Sequence, residues 1–258
     1  MLKFSPANAK IRHLSKIPAI AQYLTNKRKV YSLDLLSGYS CPFAEKCLSK
    51  AVIDPITNKR SVKDGPKTEF RCFSASQEVI FPAVYRLRKH NFDTLRQFKF
   101  GDMLATIGSS LPQNAGVIRI HVGGDFFNQD YFDAWLYTAI AHQDKLFYAY
   151  TKSLPYWLAR RTELKAVRNF VLTASYGGRH DSLIKKHRLR YSKVVYSVDA
   201  AGDMPIDHDD SHAADPSLRS KPFALLIHGI QPKGTEASKA LVKLKGVGSY
   251  NRKGPNNG

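Results

Sequence analysis

The chain has 258 residues, of which 43% are hydrophobic and 24% are charged, a composition that excludes wholesale disorder. Its 40 Lys and Arg residues against 21 Asp and Glu give a net charge of +19, which favours nucleic acid or nucleotide phosphate as a partner. No apolar run approaches the roughly 20 residues of a membrane span, and no signal-peptide pattern opens the chain. We therefore expect a cytoplasmic protein with no membrane partner.

Short runs rich in β-branched and aromatic residues predict six strands, at 30–36, 117–122, 146–150, 170–173, 194–198 and 223–227. Apolar residues at helical spacing predict helices at 79–98, 131–142, 155–167, 182–189 and 235–244. Strands that alternate with helices indicate an α/β fold with a parallel sheet, as a six-unit (βα) partial barrel or a doubly wound sheet. We expect one domain over 1–245 and a basic, flexible tail over 246–258.

In either arrangement the functional residues belong at the carboxyl ends of the strands. All three cysteines, Cys41, Cys47 and Cys72, fall between the first strand and the first long helix, with the spacing Cys-x5-Cys-x24-Cys. Thiolates are the preferred ligands of iron–sulfur clusters and of zinc. The group therefore predicts a cluster, a zinc site with His90 or His121 as a fourth ligand, or buried inert thiols.

The second strand ends in Gly123-Gly124-Asp125. Paired glycines at a strand end let the backbone approach a ligand closely, and a carboxylate there can receive an ammonium group or a ribose hydroxyl. The structural alternative is a tight turn with Asp125 near a helix start.

The third and fourth strands end in polar groups that suit an anion. Lys152 can meet a carboxylate or a phosphate, and a Gly-rich loop follows with Ser175 and Arg179. A solvated lysine and a flexible turn are the alternatives. Farther along, the acidic run 207–212 can bind a divalent ion, although such runs are more often solvated loops.

This layout resembles the radical-SAM superfamily, which has a six-unit (βα) partial barrel, a cysteine loop after strand one and a Gly-Gly-acid motif after strand two. The resemblance implies a [4Fe-4S] cluster on Cys41, Cys47 and Cys72. It also implies S-adenosylmethionine contacts at Gly123, Gly124 and Asp125, with looser matches at Ser175 and Arg179. The chain departs from the superfamily's Cys-x3-Cys-x2-Cys spacing and has Asp in place of Glu.

Over residues 10–245 the chain more closely resembles a phage protein family known by its gene-product name. The matching features are the cysteines, Asn91, the segment 124–127 and the segment 147–153. A phage origin implies the host cytoplasm as the location. We expect an iron–sulfur protein. The resemblance implies that it cleaves S-adenosylmethionine, and the positive charge favours a nucleic acid or nucleotide as the molecule it acts on. The alternative is a cluster- or zinc-stabilised nucleic-acid-binding module without catalysis.

Overall fold

The computed structural model describes residues 1–7 and 10–245, so the predicted tail at 246–258 lies outside the described residues. The described residues form nine strands: β1 Ser5–Pro6, β2 Lys29–Leu33, β3 Ser49–Ile53, β4 Arg60–Asp64, β5 Ala115–Ile120, β6 Leu146–Thr151, β7 Phe170–Ser175, β8 Tyr191–Val195 and β9 Phe223–Leu226.

The same residues form ten α-helices: α1 Pro18–Ala21, α2 Phe73–Ile80, α3 Pro82–Leu95, α4 Phe100–Ser110, α5 Gln129–Ala141, α6 Leu154–Ala159, α7 Arg161–Ala166, α8 Ser182–His187, α9 Ser211–Ala214 and α10 Glu236–Lys243. Short 3-10 helices span Lys10–Lys16, Asp199–Ala201 and Pro216–Leu218.

The main sheet has seven strands in the order β1-β2-β5-β6-β7-β8-β9. All neighbours pair in parallel except β1, which lies antiparallel on the edge of β2. The prediction of an α/β fold with six parallel strands is therefore confirmed. The parallel strands lie side by side in chain order, which excludes the doubly wound alternative, because that fold reverses its strand order at a switch point.

Some predicted boundaries are wrong, for identifiable reasons. Strand β2 ends at Leu33 because the next residue, Asp34, turns its carboxylate to the backbone N–H of Val122. The predicted helix 79–98 is two helices, since Pro82 opens α3 and carries no N–H to continue α2. The polar segment between Cys47 and Cys72 holds an unpredicted antiparallel hairpin, β3 with β4.

The sheet buries both of its faces. On one face, Ile118 and Ile120 of β5 pack in a cluster with Trp135 of α5 and Met103 of α4. On the other face, alternate residues such as Val117 pack against Ile11, Leu14 and Ile20 of the N-terminal segment, together with Ala213 and Ala214. These residues cover that face towards the amino ends of the strands, and polar side chains such as Arg119 lie on it towards the carboxyl ends.

The N-terminal segment approaches β5 so closely that only glycine fits at Gly116. A Cβ atom there would lie 1.9 Å from the backbone carbonyl oxygen of Tyr23.

We expect Gly116→Ala to lower the free energy of unfolding by about 2 kcal/mol or more, because the clash is with backbone. Gly108→Ala is the matched control, since nothing lies within 4 Å of its Cβ position in α4. There alanine should stabilise the helix by about 0.5–1 kcal/mol. Urea unfolding measures both, and equal effects would contradict the packing described.

Candidate functional site

An open cavity lies at the carboxyl edge of the parallel sheet, and its empty space together with the adjoining solvent is about 1110 Å³. The loop after β2, the start of α2 and the ends of β5, β6 and β7 all contribute to its wall. The cavity brings together eight of the nine site residues predicted from the sequence: Cys41, Cys47, Cys72, Gly123, Gly124, Asp125, Lys152 and Ser175. The ninth, Arg179, is exposed on the following loop and is not among the lining residues.

The three cysteines are free thiols, each half-buried. Burial, followed by the nearby Asp125 carboxylate, raises the pKa of Cys41 well above its ordinary value. Burial and the neighbouring Cys47 raise the pKa of Cys72 to about 11. The Sγ of Cys41 accepts the backbone N–H of Gly38 at 3.3 Å, and Cys72 caps the start of α2. Both groups are therefore neutral thiols at pH 7 in the absence of a ligand.

Within residues 1–7 and 10–245, no group of three or more His, Cys, Asp or Glu side chains is arranged to hold a metal ion. This finding supports neither the zinc prediction nor the iron–sulfur prediction, which both stay predictions. His90 is exposed and bonds the Met1 carbonyl oxygen through Nε2 at 2.9 Å. The run 207–212 forms no ion site either, and it is not a solvated loop, because Asp207 and Asp210 are buried.

Gly123 and Gly124 are needed for packing. A Cβ on Gly123 would lie 2.1 Å from Ser74 Oγ, and one on Gly124, where φ is +96°, would lie 2.6 Å from Ser40 Oγ. The Gly123 carbonyl oxygen also accepts the N–H of Leu35 at 2.9 Å. The two glycines thus let the end of β5 sit directly against the cysteine loop and the start of α2.

Asp125 ties neighbouring strand ends together. Its Oδ1 accepts hydrogen bonds from Thr151 Oγ1 at 2.6 Å and from the Phe126 N–H at 2.8 Å, while Oδ2 accepts the Lys152 N–H at 2.8 Å. Burial raises the pKa of the carboxyl, although these hydrogen bonds oppose the shift. The residue joins the end of β5 to the end of β6.

A buried ion pair behind the cysteine loop was not predicted from the sequence. Glu78 of α2 is fully buried, and its Oε1 accepts the N–H and the hydroxyl of Ser37, at 3.0 and 2.8 Å, and Arg88 Nη1 at 3.1 Å. Arg88 of α3 also donates to the Ser74 carbonyl oxygen at 3.1 Å. The pair connects the segment that follows β2, the helix that Cys72 begins and the helix after it.

A second hydrogen-bonded network, which the sequence did not predict, includes residues that line the cavity. Arg119 of β5 pairs with the buried Asp210, which also accepts hydrogen bonds from Tyr148 at 3.0 Å and from Tyr150 at 3.3 Å. Burial, followed by the Asp210 charge, raises the pKa of both tyrosines well above the ordinary value. The network therefore contains the Arg119–Asp210 ion pair and two protonated tyrosine hydroxyls.

His121 is the strained residue of the site. It follows β5 with φ of +72°, a left-handed conformation that non-glycine residues seldom adopt. Its Nε2 lies 3.0 Å from the Tyr131 hydroxyl, and its ring packs edge-on against Phe126. Burial, assisted by the Arg119 charge, lowers its pKa to about 3, so the imidazole is neutral.

These features define a mixed α/β protein with a mostly parallel sheet and a thiol-lined cavity at the carboxyl edge. The chain belongs to the phage Gene product 88 family, whose model matches residues 2–244. No curated protein and no solved structure matches it. Among the described residues, no helix has both the length and the apolar character needed to cross a membrane.

The buried ion pair provides a test of how the cysteine loop is held. Arg88→Met should lower the free energy of unfolding by about 3–5 kcal/mol, because it leaves the Glu78 carboxylate buried without its partner. The double variant Glu78→Gln/Arg88→Met should recover part of that loss. Arg86→Met on the exposed side of the same helix is the control and should change stability by less than about 0.5 kcal/mol. Urea unfolding of the unsubstituted protein, Glu78→Gln, Arg88→Met, the double variant and the control measures the coupling, and strictly additive effects of the two single substitutions would contradict it.

His121 predicts a dependence of stability on pH. Its folded-state pKa of about 3 lies below the value of about 6.5 expected in the unfolded chain. The unfolded state therefore binds more protons, and stability falls as the pH drops from about 6.5 towards 3, by up to about 1.4 kcal/mol per pH unit.

The variant His121→Asn should lose this part of the acid sensitivity, since asparagine tolerates a positive φ and does not titrate. His208→Asn replaces an exposed histidine and serves as the control. Unfolding measured from pH 7 to pH 4 tests the idea. The same slope in His121→Asn and in the unsubstituted protein would show that His121 is not its source.

Proposed function

We propose that this protein binds an iron–sulfur cluster through Cys41, Cys47 and Cys72. The observation that carries the proposal is that all three thiols of the chain line one cavity at the carboxyl edge of the parallel sheet. That edge is where parallel α/β folds keep their functional groups. A four-iron cluster held by three thiolates supplies an exchangeable electron and leaves one iron open to another ligand.

The number and kind of donors favour a cluster over a structural zinc ion. A structural zinc ion takes four donors around one point, whereas the cavity offers three thiols. Thiolates are the ligands that iron–sulfur clusters prefer. The backbone N–H of Gly38 donates a hydrogen bond to Cys41 Sγ, which favours the thiolate form of that residue.

The topology supports the proposal that the sheet is a radical-SAM-like partial barrel. Six parallel strands in unbroken chain order are the arrangement of a partial (βα) barrel. The inner face is polar towards the carboxyl edge and apolar towards the amino edge, as expected of a barrel with a plugged base and a functional mouth.

S-adenosylmethionine has weaker support. The packing of Gly123 and Gly124 and the three hydrogen bonds to Asp125 account for these residues by the fold itself. The prediction that this protein binds S-adenosylmethionine therefore rests on the resemblance to the radical-SAM superfamily alone. This observation favours the second candidate, a cluster-stabilised module that binds nucleic acid without catalysis, for which the net charge of +19 supplies the attraction.

Anaerobic reconstitution tests the cluster. We expect the full-length protein to incorporate iron and acid-labile sulfide, and the variants Cys41→Ala, Cys47→Ala and Cys72→Ala each to lose most of both. Thr106→Ala, a similarly half-buried small side chain on α4, is the control and should load normally. A protein that takes up neither iron nor sulfide, or cysteine variants that load fully, would refute the proposal.

A further measurement distinguishes the two candidate functions. The electron paramagnetic resonance spectrum of the reduced cluster should shift on addition of S-adenosylmethionine if the open iron binds it, and stay unchanged for a binding module. A module should bind duplex DNA with log K falling by about 0.9 per phosphate contact for each log unit of salt. Binding that is independent of salt concentration would contradict the proposal that the protein binds nucleic acid through its positive charge.

A further inference from the structure

The cavity contains a hydrogen-bonded pair of side chains, Lys152 and Ser175, that keep unused hydrogen-bond donors. Lys152 directly follows β6 and Ser175 ends β7, and these two strands are neighbours with Thr151 opposite Ala174. The Lys152 ammonium donates to Ser175 Oγ at 2.6 Å, and both residues line the cavity.

Lys152 is only 8% exposed, yet no carboxylate lies within ion-pair distance of its ammonium group among residues 1–7 and 10–245. An ammonium group has three N–H donors, and Ser175 accepts one of them. Because the Ser175 oxygen is the acceptor in that bond, its own O–H is left to donate. Two N–H groups of Lys152 and the O–H of Ser175 thus have no acceptor in the described part of the chain, and both residues line the cavity.

The lysine is fixed in this position. Its backbone N–H is bonded to Asp125, and the Cβ position of Gly178 lies 3.1 Å from the Lys152 Cβ, so the following loop packs on the lysine stem. Asp125 directs its carboxylate to Thr151 and to backbone N–H groups. A buried ammonium without a contacting anion is unfavourable, and a bound anion would relieve that cost.

We propose that Lys152 and Ser175 bind the oxyanion of a small-molecule ligand, a phosphate or carboxylate group, inside the cavity. An oxyanion supplies acceptors only, which matches the three available donors, and charge-assisted hydrogen bonds to it are strong. The apolar side chains of Val194, Leu225 and Ile227 line the same cavity and suit the uncharged part of such a ligand. The site goes beyond the proposed function and does not require a cluster.

The test is a titration of the full-length protein with inorganic phosphate and, separately, with acetate, followed by nuclear magnetic resonance of the lysine side-chain nitrogens. The Lys152 signal is assigned by its loss in Lys152→Met. We expect a saturable shift, and we expect Ser175→Ala to weaken the affinity about tenfold, since it removes one hydrogen bond to a charged group. Lys193→Met, at an exposed lysine on β8, is the matched control and should bind as the unsubstituted protein does.

Tighter binding of phosphate would identify a phosphoryl ligand, and tighter binding of acetate a carboxylate. A response that never saturates with either anion would overturn the proposal. So would an unchanged affinity in Ser175→Ala, which decides the matter even if Lys152→Met does not fold. Iron and sulfide determined on the same samples separate a failure of this site from a failure of the cluster.

Discussion

The buried Glu78–Arg88 ion pair is the interaction on which the site most depends. It joins Ser37, at the start of the cysteine loop, to α2 and α3, and it lies against Gly123 at the end of β5. Desolvating two charges is costly, so such a pair is a poor source of stability by itself. Its effect here is to define one relative position for the segments that carry Cys41, Cys72 and the glycine turn.

Around this pair, the carboxyl edge of the sheet is assembled from short links between neighbouring strand ends. Asp34 joins the end of β2 to the end of β5, and Asp125 joins β5 to β6. Lys152 joins β6 to β7 through Ser175. Each link uses a polar side chain just beyond or at the end of a strand, and together they form a polar rim above an apolar core. The thiols and the donor pair of Lys152 and Ser175 are thereby held on one wall of a single cavity.

The sequence allowed the strands and the grouping of the cysteines to be predicted, because those features are local. Runs such as 146–150 are apolar throughout, as expected when both faces of a parallel strand are buried. The β3–β4 hairpin was missed because its strands mix apolar residues with Ser, Lys and Arg, and because β4 has no fully buried position. The break between α2 and α3 at Phe81–Pro82 could have been predicted from the proline. The Arg119–Asp210 ion pair could not have been predicted, since 91 residues separate its partners and nothing in the acidic run marks Asp210 as buried.

The contrast between local features and contacts distant in sequence applies to the candidate site as well. Eight of the predicted site residues meet in the cavity, because strand ends in a parallel sheet share one edge. Packing and strand linkage account for Gly123, Gly124 and Asp125, and their contact with a ligand stays a prediction. Spacing along the chain could identify the edge but could not distinguish a ligand contact from a structural one.

The most direct test of the central claim is anomalous diffraction at the iron absorption edge from crystals grown after anaerobic reconstitution. Our account predicts a strong iron peak inside the cavity, bonded to the sulfur atoms of Cys41, Cys47 and Cys72. A peak elsewhere in the molecule, a signal at the zinc edge alone, or three unligated thiols around a cavity without metal would contradict it.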